Sequence, residues 1–167
     1  MEQILRIHGR VDILLNITGT YFGGKTVSET DEKDWDLMMS TNLKSVFLCS
    51  KTVLPHMMAQ NYGKIVSVAA RPAIEKRLRV GASAYTVSKA GVVILTETMA
   101  EEVKKYNINI NCVVPNTIDT LNNKKNMPNV DSSNWVNPED ILKVILYLVS
   151  DESTVINGAA IPVYGKA

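Results

Sequence analysis

Four short apolar runs, at 11–15, 64–68, 108–114 and 160–163, are each separated from the next by a segment long enough for a helix. That alternation of strand-like and helix-length segments predicts an α/β fold with a parallel sheet. Residues 2–8 read as the end of a helix stopped by Gly9, and 31–60 as a long helical region opened by Thr30, Asp31 and Asp34. Pro55 is expected to kink or divide that region. The segment 84–106 is the clearest helix: Val87, Gly91, Ile94, Leu95, Thr98 and Val103 lie near one face, Glu101, Glu102, Lys104 and Lys105 close its polar end, and Asn107 stops it. A last helix, 138–149, has Asn137 as N-cap, Pro138 at its first position, and Glu139 and Asp140 complementing the dipole. The polar connection 116–137, rich in Asn, Lys and Pro, has the length of a mobile or functional loop.

At 167 residues the chain can bury a core as a single domain, 1–167, without disulfide or metal. Its 18 basic and 17 acidic residues leave no electrostatic footprint for nucleic acid or a membrane surface. No run approaches 18 apolar residues and the start is too charged for a signal peptide, so a cytoplasmic protein is expected. Cys49 and Cys112 are far apart in apolar segments and read as buried, reduced thiols. His8 and His56 lack Cys, Asp or Glu partners at metal spacing, so no metal site is expected. Trp35 and the pairs Met38-Met39 and Met57-Met58 read as packing, and Trp135 as either packing or a lid.

The string carrying chemistry is Ser83-Ala84-Tyr85-Thr86-Val87-Ser88-Lys89-Ala90-Gly91. Tyr and Lys four apart on a helix share one face and can address one substrate. An ammonium about 5 Å from a phenol, at an effective dielectric of about 20, contributes roughly 3 kcal/mol, or about two pKa units. Lys89 is therefore expected to bring the Tyr85 phenol down toward catalytic range.

Five segments in order resemble the short-chain dehydrogenase/reductase family. Gly9 to Gly19, reading GRVDILLNITG, is similar to the family's "GxxDxLvNNAG" strand and turn; Ser40-Thr41-Asn42-Leu43 to its asparagine-bearing helix; Gly63 to Ala70, GKIVSVAA, to the strand that ends at the catalytic serine. Tyr85-x-x-x-Lys89 follows, then Val113 to Thr120, VVPNTIDT, like the "PG-x-x-x-T" nicotinamide loop, and the ending NGAAIPVYG resembles the last strand. The resemblance implies a Rossmann-type parallel sheet and hydride transfer between NAD or NADP and a small-molecule carbonyl or imine. Tyr85 would give the proton, Lys89 would tune Tyr85 and hold the nicotinamide ribose, and Asn42 would anchor a relay water. Asn16, Thr18, Gly19 and Pro115 would line the cofactor, with Ile118 and Thr120 fixing its carboxamide.

The departures fall on the substrate side. Ala70 stands where the family has its substrate-orienting serine, Ser67 is in another register, and Ser83 is a distant substitute. Asn116 replaces the glycine after Pro115, and Ile17 replaces an asparagine. Arg71, Lys76, Arg77 and Arg79 read as a solvated basic loop, with Arg71 the exception because it adjoins Ala70. Dihydropteridine reductases also lack that serine, and the segments 119–128 and 131–135 resemble theirs, although Asn42 does not. A pterin-like substrate is therefore expected within a wider dihydropteridine-reductase-like group.

The family's "TGxxxGxG" turn, which cradles the pyrophosphate, has no counterpart here; Gly23-Gly24 read as a substrate-side loop. The expectation is a catalytic half, truncated to the last four strands, with impaired or no activity as an isolated chain. The alternatives are an oligomerisation module or a non-functional remnant. Strand 11–15 then becomes a sheet edge, and homo-oligomers are expected through it and through helices 31–60 and 84–106.

Overall fold

The four apolar runs pair as one parallel sheet in sequence order: β1 (Ile13–Asn16), β2 (Gly63–Val68), β3 (Ile108–Pro115) and β4 (Ala160–Val163). The computed structural model describes residues 2–165; Met1, Lys166 and Ala167 of the expected domain lie outside the described residues. In register, Asn16 lies opposite Ser67, Ser67 opposite Cys112, and Pro115 opposite Val163. Every residue of β3 and nearly all of β2 are buried, as strands covered on both faces must be, whereas β1 leaves Ile13 and Leu15 exposed.

Helices cover both faces. On one, α3 (Ser45–Gln60) and α4 (Ser83–Glu102) set Val53, Met57, Met99 and Ala100 against Ile65 and Ile110. On the other, α6 (Pro138–Val149) sets Ile141, Ile145 and Leu148 against Val66 and Val113. α6 has the expected bounds because its start is chemically specified: the Asn137 side chain accepts from the Glu139 N–H at 2.9 Å and Pro138 takes a position that needs no donor. α1 (Glu2–His8) ends at Gly9, whose φ of +72° is left-handed, and buries none of its residues. No helix among the described residues is long and apolar enough to cross a membrane.

The long helical region differs from expectation in where it breaks. Pro55 lies inside α3, exposed, and does not divide it. The interruption comes earlier, where α2 (Glu32–Met38) widens into a π segment, Met39–Lys44, before α3 begins. The extra residue of a π turn rotates Asn42 inward, where it is fully buried, and such turns concentrate at functional positions. α4 ends at Glu102, short of Asn107, because Val103 is drawn into the core and β3 starts at Ile108. The face of α4 named from the sequence also splits: Val87 and Ile94 are exposed, while Ala84, Ser88, Lys89, Val92, Thr96, Met99 and Ala100 are buried. Cys49 is likewise exposed on α3, contrary to the expected buried thiol, whereas Cys112 is buried.

Gly63 opens β2 directly beneath α3. A Cβ there would stand 2.9 Å from Met57 Cβ, closer than real contacts allow, and Met57 has no exposed surface toward which to move. Gly63→Ala is therefore expected to lower stability by about 1–3 kcal/mol in urea denaturation, with the slope of the transition unchanged.

Candidate active site

The carboxyl ends of β1, β2 and β3 converge with the first turns of α4, the usual place for a ligand in an open parallel sheet. Lys89 on α4 is buried, and its Nζ donates to the carbonyl of Val68, the last residue of β2, at 2.7 Å. Asn42 enters from the π segment: its Nδ2 donates to the Thr20 carbonyl and to Ser88 Oγ, both at 3.0 Å, and its Oδ1 accepts from the Thr20 N–H at 2.8 Å. Between them lies the Cα of Gly19, just after β1. A side chain at Gly19 would begin 3.0 Å from Lys89 Nζ and 3.3 Å from Asn42 Oδ1. The absence of that Cβ keeps one point open to a cationic donor and an amide acceptor at once.

Tyr85 sits one helical turn before Lys89, half-buried, with its ring packed edge-on against Tyr21 at 4.9 Å between centroids. Burial pushes the phenol up to about 12, with Tyr21 adding to the rise. Burial also lowers Lys89, to about 8. This corrects the expectation that Lys89 depresses Tyr85: the loss of water around the phenol outweighs any attraction from the amine, which is turned toward Val68. The pair therefore holds a neutral phenol and an easily deprotonated amine.

The other expected cofactor residues divide. Asn16 is buried at the end of β1 and donates to Ser67 Oγ at 3.1 Å, which places the buried Ser67 hydroxyl on the same face of the sheet as Asn16. Thr18 and Gly19 are exposed on the following turn. Pro115 ends β3, and Asn116 continues beside β4 by donating to the Val163 carbonyl. Ile118 bridges to Val136 and packs against the α6 side of the core. Thr120 caps α5 (Leu121–Asn126), accepting from the Asn123 N–H at 3.1 Å. Gly23-Gly24 form no phosphate cradle, since the Gly24 and Lys25 N–H groups both donate to the Gly81 carbonyl and zip this loop to the start of α4.

On the substrate side, Ala70 is buried and the turn Arg71–Ala73 follows it against α4. Arg71 is itself buried, its Nε donating to Glu75 Oε1 at 2.8 Å and its guanidinium 4.4 Å from the Tyr164 ring centre. Lys76 and Arg77 are exposed, as expected of a solvated loop. Arg79, half-buried, hydrogen-bonds the carbonyls of Pro72, Ala73 and Ile74. Ser83 is half-buried at the first position of α4, and Trp135 is half-buried in the connection to α6.

Two contributors escape sequence reasoning. Ser88 links Asn42 to the Tyr85 carbonyl, to which its Oγ donates at 2.7 Å. Only its place between Tyr85 and Lys89 hinted at this. Tyr21 gives no sequence signal, because its contact with Tyr85 depends on how the loop after β1 folds back.

A nicotinamide cofactor, which the resemblance implies, fits part of this arrangement. Lys89 has ammonium protons to spare beyond its bond to Val68, and Gly19 leaves space beside them. Comparison with known proteins gives the family. The profile for short chain dehydrogenases matches residues 1–131. The chain is 34% identical over 173 residues to the 3-oxoacyl-(acyl-carrier-protein) reductase of Thermotoga maritima, covering 99% of this chain and 69% of that protein. It is 35% identical over 176 residues to the 2-dehydro-3-deoxy-D-gluconate 5-dehydrogenase of Escherichia coli, covering 99% of this chain and 68% of that one. The crystal structure of levodione reductase superposes with a TM-score of 0.90 at 27% identity, over 98% of this chain and 69% of the other.

Proposed function

Because the chain belongs to the short-chain dehydrogenase family, we propose that it carries the proton-transfer and nicotinamide-side face of an NAD(P)-dependent reductase acting on a carbonyl or imine. The observation that carries this reading is the bare Cα of Gly19, which holds one point open to Lys89 Nζ and Asn42 Oδ1 within a turn of Tyr85. Bound NAD(P)H would supply the hydride. Lys89 would hold the ribose hydroxyls, Thr18 and Gly19 would flank them, and Pro115, Ile118 and Thr120 would line the carboxamide side.

The neutral phenol of Tyr85 is the form that donates a proton, so the site is set for reduction: the proton goes to the carbonyl oxygen or imine nitrogen and leaves a phenolate. Lys89, protonated near neutral pH, stabilises that phenolate, and a water anchored by Asn42 returns the proton from solvent. Ala70 supplies no hydroxyl to a developing oxyanion. This favours an acceptor in a conjugated ring, such as a quinonoid pterin, over a simple ketone with no second group to hold it, and the exposed Tyr21 ring beside Tyr85 offers a flat partner. The pyrophosphate half of the cofactor would need backbone donors beyond those of the Gly23-Gly24 loop. Assembly belongs to the same reading: Phe47 and Leu48 on α3, Val87 and Ile94 on α4, and Ile13 and Leu15 on β1 are exposed apolar side chains fit to pair copies.

The test is a titration of the purified chain with NADH and NADPH, following nicotinamide fluorescence, with light scattering to report mass. The expected result is saturable binding below about 1 mM, roughly −4 kcal/mol, by an oligomer. A folded protein that binds neither cofactor would overturn the proposal.

A further inference from the structure

We propose that Arg71 is the anion-recognising residue of this site, and that the substrate reduced there carries a carboxylate. The inference rests on the reductase reading above and narrows its substrate class.

Arg71 and Arg79 belong to the same loop and use their guanidinium groups differently. Arg79 binds three consecutive loop carbonyls through Nε and Nη2, which is what a loop-bracing arginine does. Arg71 makes a single hydrogen bond, from Nε to Glu75. Among the described residues its Nη groups meet no acceptor, and neither is a sealed, orphaned donor. Each therefore keeps some exposed surface, although the side chain as a whole is only 10% exposed.

Its orientation is also constrained. The Tyr164 ring, just after β4, lies 4.4 Å from the guanidinium carbon, and Glu75 holds Nε from the side. Pinned by both, the planar fork keeps little rotational freedom to lose when it grips a carboxylate through two parallel bonds. Glu75 does not cancel the charge, because it is shared with Arg77 at 3.0 Å, and residues 71–79 carry four cations against that one anion.

Place completes the case. Arg71 follows Ala70 at the strand end where Lys89 binds the Val68 carbonyl, and its turn packs on the helix that bears Tyr85. An acid held by Arg71 would carry its reducible carbon toward the proton donor. An ionic fork can thus supply the orientation that the missing hydroxyl at Ala70 cannot.

The experiment follows the arginine Nε–H resonances of the nitrogen-15-labelled protein during titration with 3-oxobutanoate and, separately, with its methyl ester, at constant ionic strength. The Arg71 resonance, assigned by its loss in Arg71→Lys, should shift saturably with the acid and not with the ester. Affinity for the acid should fall at least about tenfold in Arg71→Lys, since an ammonium cannot reproduce the fork. It should rise about threefold or more in Glu75→Gln, which removes the competing carboxylate. A brace with no ligand role predicts no such gain, so equal response to acid and ester, or no gain in Glu75→Gln, overturns the proposal. Turnover separates the two readings. Reduction of acid and ester at a ratio of kcat/KM unchanged by Arg71→Lys removes the anion site and leaves the reductase. Arg71-dependent binding by a cofactor-loaded protein that turns over no carbonyl or imine removes the reductase and leaves the anion site.

Discussion

Tyr85→Phe is expected to lower kcat for carbonyl or imine reduction by about a thousandfold, within the usual range for a positioned general acid, while NAD(P)H affinity stays within about twofold. The substitution is unusually clean here. The Tyr85 hydroxyl makes no hydrogen bond among the described residues, and the ring would keep its edge contact with Tyr21. Phe therefore removes the proton and little else. Steady-state kinetics at saturating cofactor, with a thermal melt to verify the fold, provides the check. A variant that turns over at the wild-type rate would show that the proton comes from another group.

The second large effect concerns stability. Buried Lys89 falls to about 8 in the folded protein, against 10.5 for the free side chain. Below pH 8 both folded and unfolded chains carry the proton, and the folded state bears the full cost of a buried ammonium. Between 8 and 10.5 the folded chain has released its proton while the unfolded chain keeps it, so unfolding free energy should climb with pH, by up to about 3 kcal/mol. Lys64, lowered by burial and bonded to Asn109, acts in the same direction. Two groups oppose them: Cys112, raised by burial from 9.0 to about 11, from pH 9 upward, and Tyr85, whose rise from 10.0 to about 12 favours the folded state below 10 and is lost above it. Urea denaturation of the ligand-free protein at pH 7, 8, 9 and 9.5 should thus show increasing stability. Lys89→Met should be more stable than wild type at pH 7 and gain less with pH. Parallel profiles for the two proteins would rule out the buried-ammonium account.

Much of the scaffold was legible because its signals are local or doubly enforced. β2 and β3 are apolar runs covered on both faces, and the α6 start combines a cap with a proline. Pro55 does not divide its helix because an exposed proline within a helix packed by Val53 and Met57 is tolerated despite its missing donor. The π segment left no pattern to read, since it answers a tertiary requirement, the burial of Asn42 against Thr20 and Ser88. At the site, the spacing of Tyr85 and Lys89 gave their proximity but not their ionisation. Charge attraction can be estimated from spacing, whereas desolvation depends on what surrounds the pair. Arg71 stood out by its neighbour Ala70, yet the partners that orient it, Glu75 and Tyr164, come from its own turn and from the segment just after β4, more than eighty residues away.

The zipper between Gly24, Lys25 and Gly81 has a mechanical consequence. The loop that carries Tyr21 over the phenol is clamped to the residues that lead into α4, with Lys25 bridged to Ala82, so neither can be displaced far without tugging the other. Displacing that stretch of backbone would carry the entry to the helix bearing Tyr85 along with it.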